Sequence, residues 1–412
     1  MRAGFLVFLA LAAGSITSTP IFAQSSSLVP SARPEHIDIS KLTKQANDGN
    51  AEAQFQLGLA YEFGEGVEQS IGYAIAWYLK AADRGALGAE NNLARLYETG
   101  PEGVRDLREA VKWYNRAALY GSSVAQYNYG RLYLQGRGVP QDPVEGARWI
   151  RKAADAGCLT ATARLGWMYA TGTGVPKDER TALHLTRQAA KKGDLDAITN
   201  LGAFYALGLG LSKDEKEARK WLEKAVKAGV ADAEYDLAVL YQNGRGGEKN
   251  IQEAHRLFQM AAEQGMVKAE AAMGEIFETA DGVVTDYKEA VKWYQLAARG
   301  GDVNSANRLA AILYSGKGVA RDLPEAVRLW SFAADKGNAY AQFNLAQAYA
   351  AGNGVPKDLG KARELFDLAG KQFDVSRQLD ALASQERVTE AVQTQSETAP
   401  ETATITESVT VE

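Results

Sequence analysis

The chain has 412 residues, of which 46% are hydrophobic and 24% are charged, and this balance excludes a wholly disordered or fibrous protein. Lys and Arg number 46 against 51 Asp and Glu, and the formal charge of -5 argues against a nucleic-acid-binding protein. The single cysteine, Cys158, excludes an intramolecular disulfide framework and a cysteine-based zinc site. Glycine is frequent, with 40 residues against 10 prolines, which indicates that glycine serves one structural role many times.

Residues 1–23 have the pattern of a secretory signal peptide. Arg2 provides the positive start, residues 4–13 form a short apolar core, and the small residue Ala23 precedes the expected cleavage point. This apolar run is too short for a membrane-spanning helix, which needs roughly 20 residues. We therefore expect an exported protein, periplasmic or secreted, with no stable membrane insertion after cleavage. Residues 24–36 predict a polar linker.

A repeat of 36 residues dominates the rest of the chain. One glycine recurs at this interval, and we call these residues the phase glycines: Gly49, Gly85, Gly121, Gly157, Gly193, Gly229, Gly265, Gly301 and Gly337. Nine units therefore fill residues 50–373, after an N-terminal capping half-repeat at 37–49. A last capping helix is predicted at 374–384, and the Glu-, Ser- and Thr-rich composition of 385–412 predicts a disordered tail.

Each unit contains the pattern of two helices. Counted from the phase glycine, column eight is large and apolar, column nine is Gly or Ala, and column twelve is usually Tyr, which predicts an amphipathic helix A. A Gly-x-Gly turn follows, and a capping residue then begins helix B in every unit: Ser70, Asp106, Asp142, Asp178, Asp214, Asn250, Asp286, Asp322 and Asp358. One hairpin cannot bury its apolar stripe alone. The repeat therefore predicts an all-α, right-handed superhelical solenoid of nine helix-turn-helix units.

The order of these motifs resembles the Sel1-like repeat family, which is related to the tetratricopeptide repeats. Its pattern of Ala-x-x-x-Leu-Gly-x-x-Tyr followed by Gly-x-Gly-Val-x-x-Asp is matched closely by residues 125–142 and 341–358. The resemblance implies a non-enzymatic adaptor, and exported bacterial members resemble envelope assembly factors or regulators of signalling proteins. A cysteine-rich secreted subgroup is associated with β-lactam binding or hydrolysis, but this chain lacks the cysteines of that subgroup.

Signatures of catalysis and of ligand binding are weak. The Gly-x-Gly turns follow helices and lack the Gly-Lys-Ser/Thr ending, so they are interpreted as turns and not as phosphate-binding loops. His36, His184 and His255 lie in separate segments without the spacing of metal ligands, and we predict no metal and no cofactor. The sequence leaves open a general acid and base among the carboxylates that recur near the end of helix A: Glu62, Glu98 and Glu278.

The variable columns of helix A predict where a partner binds. Columns six, ten and thirteen should form the inner, concave wall, and these columns are the variable ones, whereas the packing columns are constant. We predict a surface for a protein or peptide partner made by seven residues: Asn91, Arg95, Glu98, Tyr127, Arg131, Trp167 and Tyr235. The alternative is that these columns are only tolerant positions. For Trp167 two interpretations stay open, because this side chain either lines the groove or faces the core.

These observations favour a monomeric, non-enzymatic periplasmic scaffold that binds a protein or peptide. A scaffold for envelope polysaccharide or cell-wall machinery is the second hypothesis, and a weak β-lactam hydrolase is the enzymatic one. Cys158 is expected to be a free thiol, with an intermolecular disulfide as the alternative.

We predict that the signal peptide is removed after Ala23. The 412 residues less 23 leave a mature chain of 389 residues, whose intact mass can be measured in the envelope fraction. A matched Ala23→Arg variant should keep residues 1–23, because the cleavage site requires a small residue. A wild-type protein that retains residues 1–23, or that occurs only in the cytoplasm, contradicts the prediction.

Overall fold

The computed structural model describes residues 38–279 and 282–397, and it describes side chains as far as residue 387. These residues form twenty α-helices and no strand. The predicted signal peptide and linker, at 1–23 and 24–36, lie outside the described residues, as does the end of the predicted tail at 398–412. Within the described part of the chain, no helix is both long and apolar enough to cross a membrane.

The first compact unit extends to Asn250. It begins with the short helix α1 (Ile39–Asn47), where the capping half-repeat was expected. Helices A and B then alternate as α2 (Ala51–Phe63), α3 (Ile71–Ala82), α4 (Leu87–Thr99), α5 (Leu107–Leu119), α6 (Ser123–Gln135), α7 (Pro143–Asp155), α8 (Leu159–Thr171), α9 (Glu179–Lys191), α10 (Leu195–Leu207), α11 (Glu215–Val226) and α12 (Ala231–Gln242).

The second compact unit begins at Ile251. It starts with a B helix and continues the alternation as α13 (Ile251–Glu263), α14 (Val267–Thr279), α15 (Tyr287–Arg299), α16 (Val303–Ser315), α17 (Leu323–Asp335), α18 (Ala339–Ala351), α19 (Leu359–Ala369) and α20 (Ser376–Glu397). Within each unit, an A helix packs against the B helix that follows it in the same unit. The predicted order of helices is confirmed.

Helix α20 is longer than the predicted capping helix. It continues to Glu397, whereas the capping helix was expected to end at residue 384 and to be followed by a disordered tail. Residues 385–397 are therefore helical. Their composition is polar, but it contains neither Gly nor Pro to end the helix.

Side-chain caps and glycine turns set the helix boundaries. Eight of the predicted capping residues accept hydrogen bonds from amides of the first helical turn: Ser70, Asp106, Asp142, Asp178, Asp214, Asp286, Asp322 and Asp358. At the end of helix α8, Gly172 takes a φ of 75°, the left-handed conformation that favours glycine. The second glycine of this turn, Gly174, is required by a close approach, since a Cβ there would lie 1.9 Å from the carbonyl oxygen of Pro143.

The small residue in column nine lets helices A and B meet closely. A Cβ on Gly130 of α6 would lie 2.8 Å from the carbonyl oxygen of Gly146 on α7. The column-eight residue that precedes the small residue is also buried, as with Tyr129 in this repeat and Leu57 and Leu93 in the first two. Each hairpin core is therefore a layer shared by its two helices, as the pattern predicts.

In some repeats column five carries a glutamine that bonds to the helix before it. Buried glutamines in this column donate to carbonyl oxygens near the end of that helix, and Gln126 Nε2 lies 3.1 Å from the oxygen of Ala118. The second repeat has Glu90 instead, which is only 1% exposed. Its carboxylate cannot donate, and Arg116 bonds both to the Ala82 oxygen, at 3.0 Å, and to Glu90 Oε1, at 3.1 Å. Among the described residues, Glu90 Oε2 has no hydrogen-bond partner.

We predict that Glu90→Gln stabilises the protein at neutral pH by about 1 kcal/mol, because it replaces a buried, half-satisfied carboxylate. Burial raises the pKa of Glu90, and Arg116 only partly opposes this effect. The folded protein therefore favours the protonated acid, so the advantage of the variant should grow as pH rises through this pKa and should vanish below about pH 4. Urea unfolding at several pH values measures the effect.

The reverse substitution, Gln126→Glu, is the matched control for this prediction. It should destabilise the protein at neutral pH, because it places a carboxylate in the same buried column. Lower stability of Glu90→Gln than of the wild type at pH 7 would contradict the argument.

Candidate interaction surface

The seven predicted binding residues lie on A helices of the first unit. Four of them are buried, with exposed fractions between 2% and 8%: Asn91, Glu98, Arg131 and Trp167. Three are half-buried: Arg95, Tyr127 and Tyr235. The prediction that all seven side chains are open to a partner is therefore wrong for the first four. Neighbouring A helices of this unit lie close enough for these columns to contact the next helix.

Glu98 is the centre of a buried ion-pair network between α4, α5 and α6. Tyr114 Oη donates to Glu98 Oε2 over 3.1 Å, and Arg131 Nη2 donates to the same oxygen. Arg137 Nη1 donates to Glu98 Oε1 over 2.7 Å. Burial alone would lower the pKa of Arg131, but the Glu98 carboxylate raises it overall. Both oxygens of Glu98 are thus occupied in holding two repeats together.

The same arrangement occurs twice more. In the first repeat, Tyr78 Oη donates to Glu62 Oε2 over 2.7 Å, and Arg95 from the next A helix forms an ion pair with Glu62. In the second unit, Tyr294 and Arg308 both donate to Glu278 Oε2, over 2.7 Å and 3.1 Å. Burial and the adjacent carboxylate raise the pKa of each of these tyrosines. We call this arrangement the Glu–Tyr–Arg interlock.

A sequence signal for the interlock exists, but the column analysis missed it. Glu in column thirteen always occurs with Tyr in column twenty-nine of the same unit. Where the Glu is absent the Tyr is absent too, in the pairs Leu134 with Ile150, Ala170 with Thr186, and Ala206 with Leu222. This pairing of columns would have indicated a buried contact for Glu98 instead of a surface position.

Trp167 faces the core. Its ring packs among buried residues of α8, α9 and α10, and its centroid lies 6.3 Å from that of Phe204. Asn91 is also used internally, since it accepts a hydrogen bond of 3.0 Å from Asn128 of the next A helix. Of the two interpretations of Trp167, the structure supports the core.

Asp196 lies near the half-buried Tyr127 and Arg164, and it belongs to a group of three aspartates with Asp194 and Asp232. Burial, together with the nearby carboxylates of Asp194 and Asp232, raises the pKa of Asp196 to about 6. Asp194 caps helix α10 by accepting a hydrogen bond of 2.8 Å from the amide of Ala197. The Asp196 carboxylate can therefore bind a proton near pH 6. In the described ranges, no cluster of His, Cys, Asp and Glu is arranged to hold a metal ion.

Cys158 is half-buried at the start of α8, and burial raises the pKa of its thiol. Its sulfur forms no disulfide among the described residues. Two of the histidines fall in described segments, where His184 is exposed and His255 is half-buried, while His36 lies outside them. The thiol and both histidines stand in separate places on the fold.

The second unit presents a different A-helix surface. Column ten, which holds Arg131 and Trp167 in the first unit, is exposed here at Glu275, Ala311 and Gln347. Beside it are side-chain amides and aromatic rings of α16 and α18. We define the open A face as Asn304, Asn307, Ala311, Asn338, Tyr340, Phe343, Asn344 and Gln347. Its accessibility makes it the candidate interaction surface of the described residues.

The family comparison agrees with the repeat count. The Sel1 repeat model matches nine consecutive segments: residues 51–85, 88–121, 123–158, 160–194, 195–230, 231–266, 267–302, 303–338 and 339–372. Together with the helix order, these nine matches confirm the all-α solenoid of nine helix-turn-helix repeats. No curated protein matches the chain significantly.

One of the solved structures that resemble this chain supports the same fold. A Sel1 repeat protein from Oxalobacter formigenes is 30% identical, with 90% of this chain and 99% of that chain covered and a TM-score of 0.51. A protective antigen of uropathogenic Escherichia coli with an SLR fold is 25% identical, with 91% and 100% covered and a TM-score of 0.45. An immunity protein from Pseudomonas aeruginosa is 23% identical, with 52% and 82% covered and a TM-score of 0.41.

We predict that Trp167→Ala lowers the free energy of unfolding by about 3–5 kcal/mol, because it removes a large ring from a packed core. Chemical denaturation followed by circular dichroism measures this loss. Tyr120→Ala is the control, since Tyr120 is 74% exposed and its removal should change stability by less than about 0.5 kcal/mol. A Trp167→Ala protein as stable as the wild type would show that this packing is not needed.

Proposed function

We propose that this chain, which belongs to the Sel1 repeat family, is an exported, non-enzymatic scaffold that binds a protein or peptide partner through the open A face. Sel1 repeat proteins are generally protein-interaction scaffolds, and their fold is typically non-enzymatic. Export follows from the signal-peptide pattern of residues 1–23. The open A face replaces the seven residues of the first unit as the proposed binding surface.

The exposure of column ten in the second unit is the observation that carries this proposal. In the first unit, Arg131 and Trp167 bury this column against a neighbouring A helix. In the second unit, Ala311 and Gln347 leave it open to solvent. A scaffold needs a surface that is not used by its own packing, and this face provides one on successive helices.

The polar chemistry of the open A face favours binding over catalysis. Its side chains are amides, aromatic rings and one alanine, none of which is a nucleophile or a titrating acid near neutral pH. The charged neighbour Arg308 is engaged by Glu278 and by Glu275, at 3.1 Å and 3.4 Å. The eight side chains of the open A face are therefore uncharged themselves and offer a partner hydrogen-bond donors and acceptors.

We predict that a photocrosslinking residue at Ala311 captures a protein partner in intact cells. The matched control is the same residue at Leu296, which lies on the B helix α15 and is 42% exposed. We expect a crosslinked protein at position 311 and none at position 296, with mass spectrometry to identify the partner.

Equal capture at both positions would contradict binding through the open A face. Failure to capture any protein at position 311, together with retention of envelope polysaccharide, would favour the polysaccharide hypothesis. Robust turnover of a chromogenic β-lactam by the purified protein would contradict the non-enzymatic function.

A further inference from the structure

Tyr340 is the most conspicuous side chain of the open A face. It exposes 65% of its surface, yet one side of its ring stacks on Phe373, with the centroids 5.4 Å apart and the planes at 26°. Phe373 is in turn held by the edge of Phe343, which packs against the buried Phe366. One side of the Tyr340 ring is therefore held by Phe373, and the other side faces solvent.

Side-chain amides line the same face in two bridged pairs. Asn338 Nδ2 donates to Asn304 Oδ1 over 3.0 Å, and Asn344 Nδ2 donates to Asn307 Oδ1 over 3.4 Å. A carboxamide has two N–H donors, and each bridge uses only one N–H of one asparagine, so the other N–H groups of the pair remain available. Among the described residues, the amide nitrogen of Asn304 donates to no protein acceptor. This face thus offers fixed N–H donors next to an aromatic platform.

The asparagine pairs run across two successive repeats. Each bridge joins α16 to α18 or to its N-cap residue Asn338, so the donors recur from one repeat to the next. A polyproline II helix has no internal hydrogen bonds, and its carbonyl oxygens are therefore free to accept from donors spaced along such a surface.

We propose that the open A face binds an uncharged, proline-rich segment of a partner protein in the polyproline II conformation. Proline rings pack well on aromatic faces, and Tyr340 supplies one that is already held in place. Proline has no N–H, so such a segment offers mainly carbonyl acceptors, which the asparagine donors satisfy. The Arg308 guanidinium is already paired with Glu278, so it does not call for an acidic segment. This inference rests on the proposed function and names its partner class.

Titration of fluorescein-labelled decaproline into the full mature protein, followed by fluorescence anisotropy, tests the inference. We expect saturable binding of decaproline and none of a labelled (Gly-Ser)5 peptide. Tyr340→Ala should weaken binding at least about tenfold, as for an aromatic hot spot, and Tyr340→Phe should retain it because the ring is kept. Asn304→Ala should weaken binding roughly threefold, as for loss of one hydrogen bond.

Tyr73→Ala is the matched control, because Tyr73 is 62% exposed on helix α3 and lies outside the open A face. It should leave the affinity unchanged, and thermal unfolding should show that every variant is folded. Absence of decaproline binding, binding that Tyr340→Ala does not weaken, or tighter binding of chitohexaose than of decaproline would each overturn the inference. If a protein still crosslinks at position 311 in any of these cases, the scaffold function stands and only the partner class is wrong.

Discussion

Close contact between helix A and helix B is the constraint on which every repeat depends. Column nine holds only Gly or Ala, and where it is Gly even a methyl group is too large: a Cβ on Gly58 would lie 2.5 Å from the ring of Tyr78, and one on Gly274 would lie equally close to Tyr294. Because the helices meet this closely, the apolar column of A and the ring on B fill a single layer at the density of a protein interior. What remains of each apolar stripe is covered by the neighbouring hairpin.

Whether a partner can reach column ten of helix A differs between the two units, although the repeat pattern is the same. In the first unit, Arg131 finds the carboxylate of Glu98 and Trp167 finds the ring of Phe204, so both side chains lie inward. In the second unit, Ala311 and Gln347 occupy the same column and both are exposed. The same register therefore gives a closed surface in one unit and an open surface in the other.

The sequence predicts the fold well because the residues that determine the fold recur at a fixed interval and act over short distances along the chain. A phase glycine, a small column and a capping residue such as Asp142 each act within one hairpin, so spacing alone reveals them. The accessibility of Arg131 or Trp167 depends instead on a contact with a residue more than thirty positions away in the chain. The variability of a column does not indicate whether such a contact forms. The pairing of Glu98 with Tyr114 was visible in the sequence, but only as a correlation between columns.

The Glu–Tyr–Arg interlock also bears on how such an array can change in length. An arginine of one repeat neutralises a buried glutamate of the repeat before it, as Arg131 does for Glu98. Deleting the repeat after Glu98 removes the guanidinium and leaves a buried charge, a loss of about 3–5 kcal/mol when one partner of such a pair is missing. The repeats of α8 and α10 have Ala170 and Ala206 in column thirteen, where Glu98 stands in the second repeat. A duplication or deletion there leaves no buried charge without a partner. Recombination during evolution is therefore tolerated at some repeat boundaries and penalised at others.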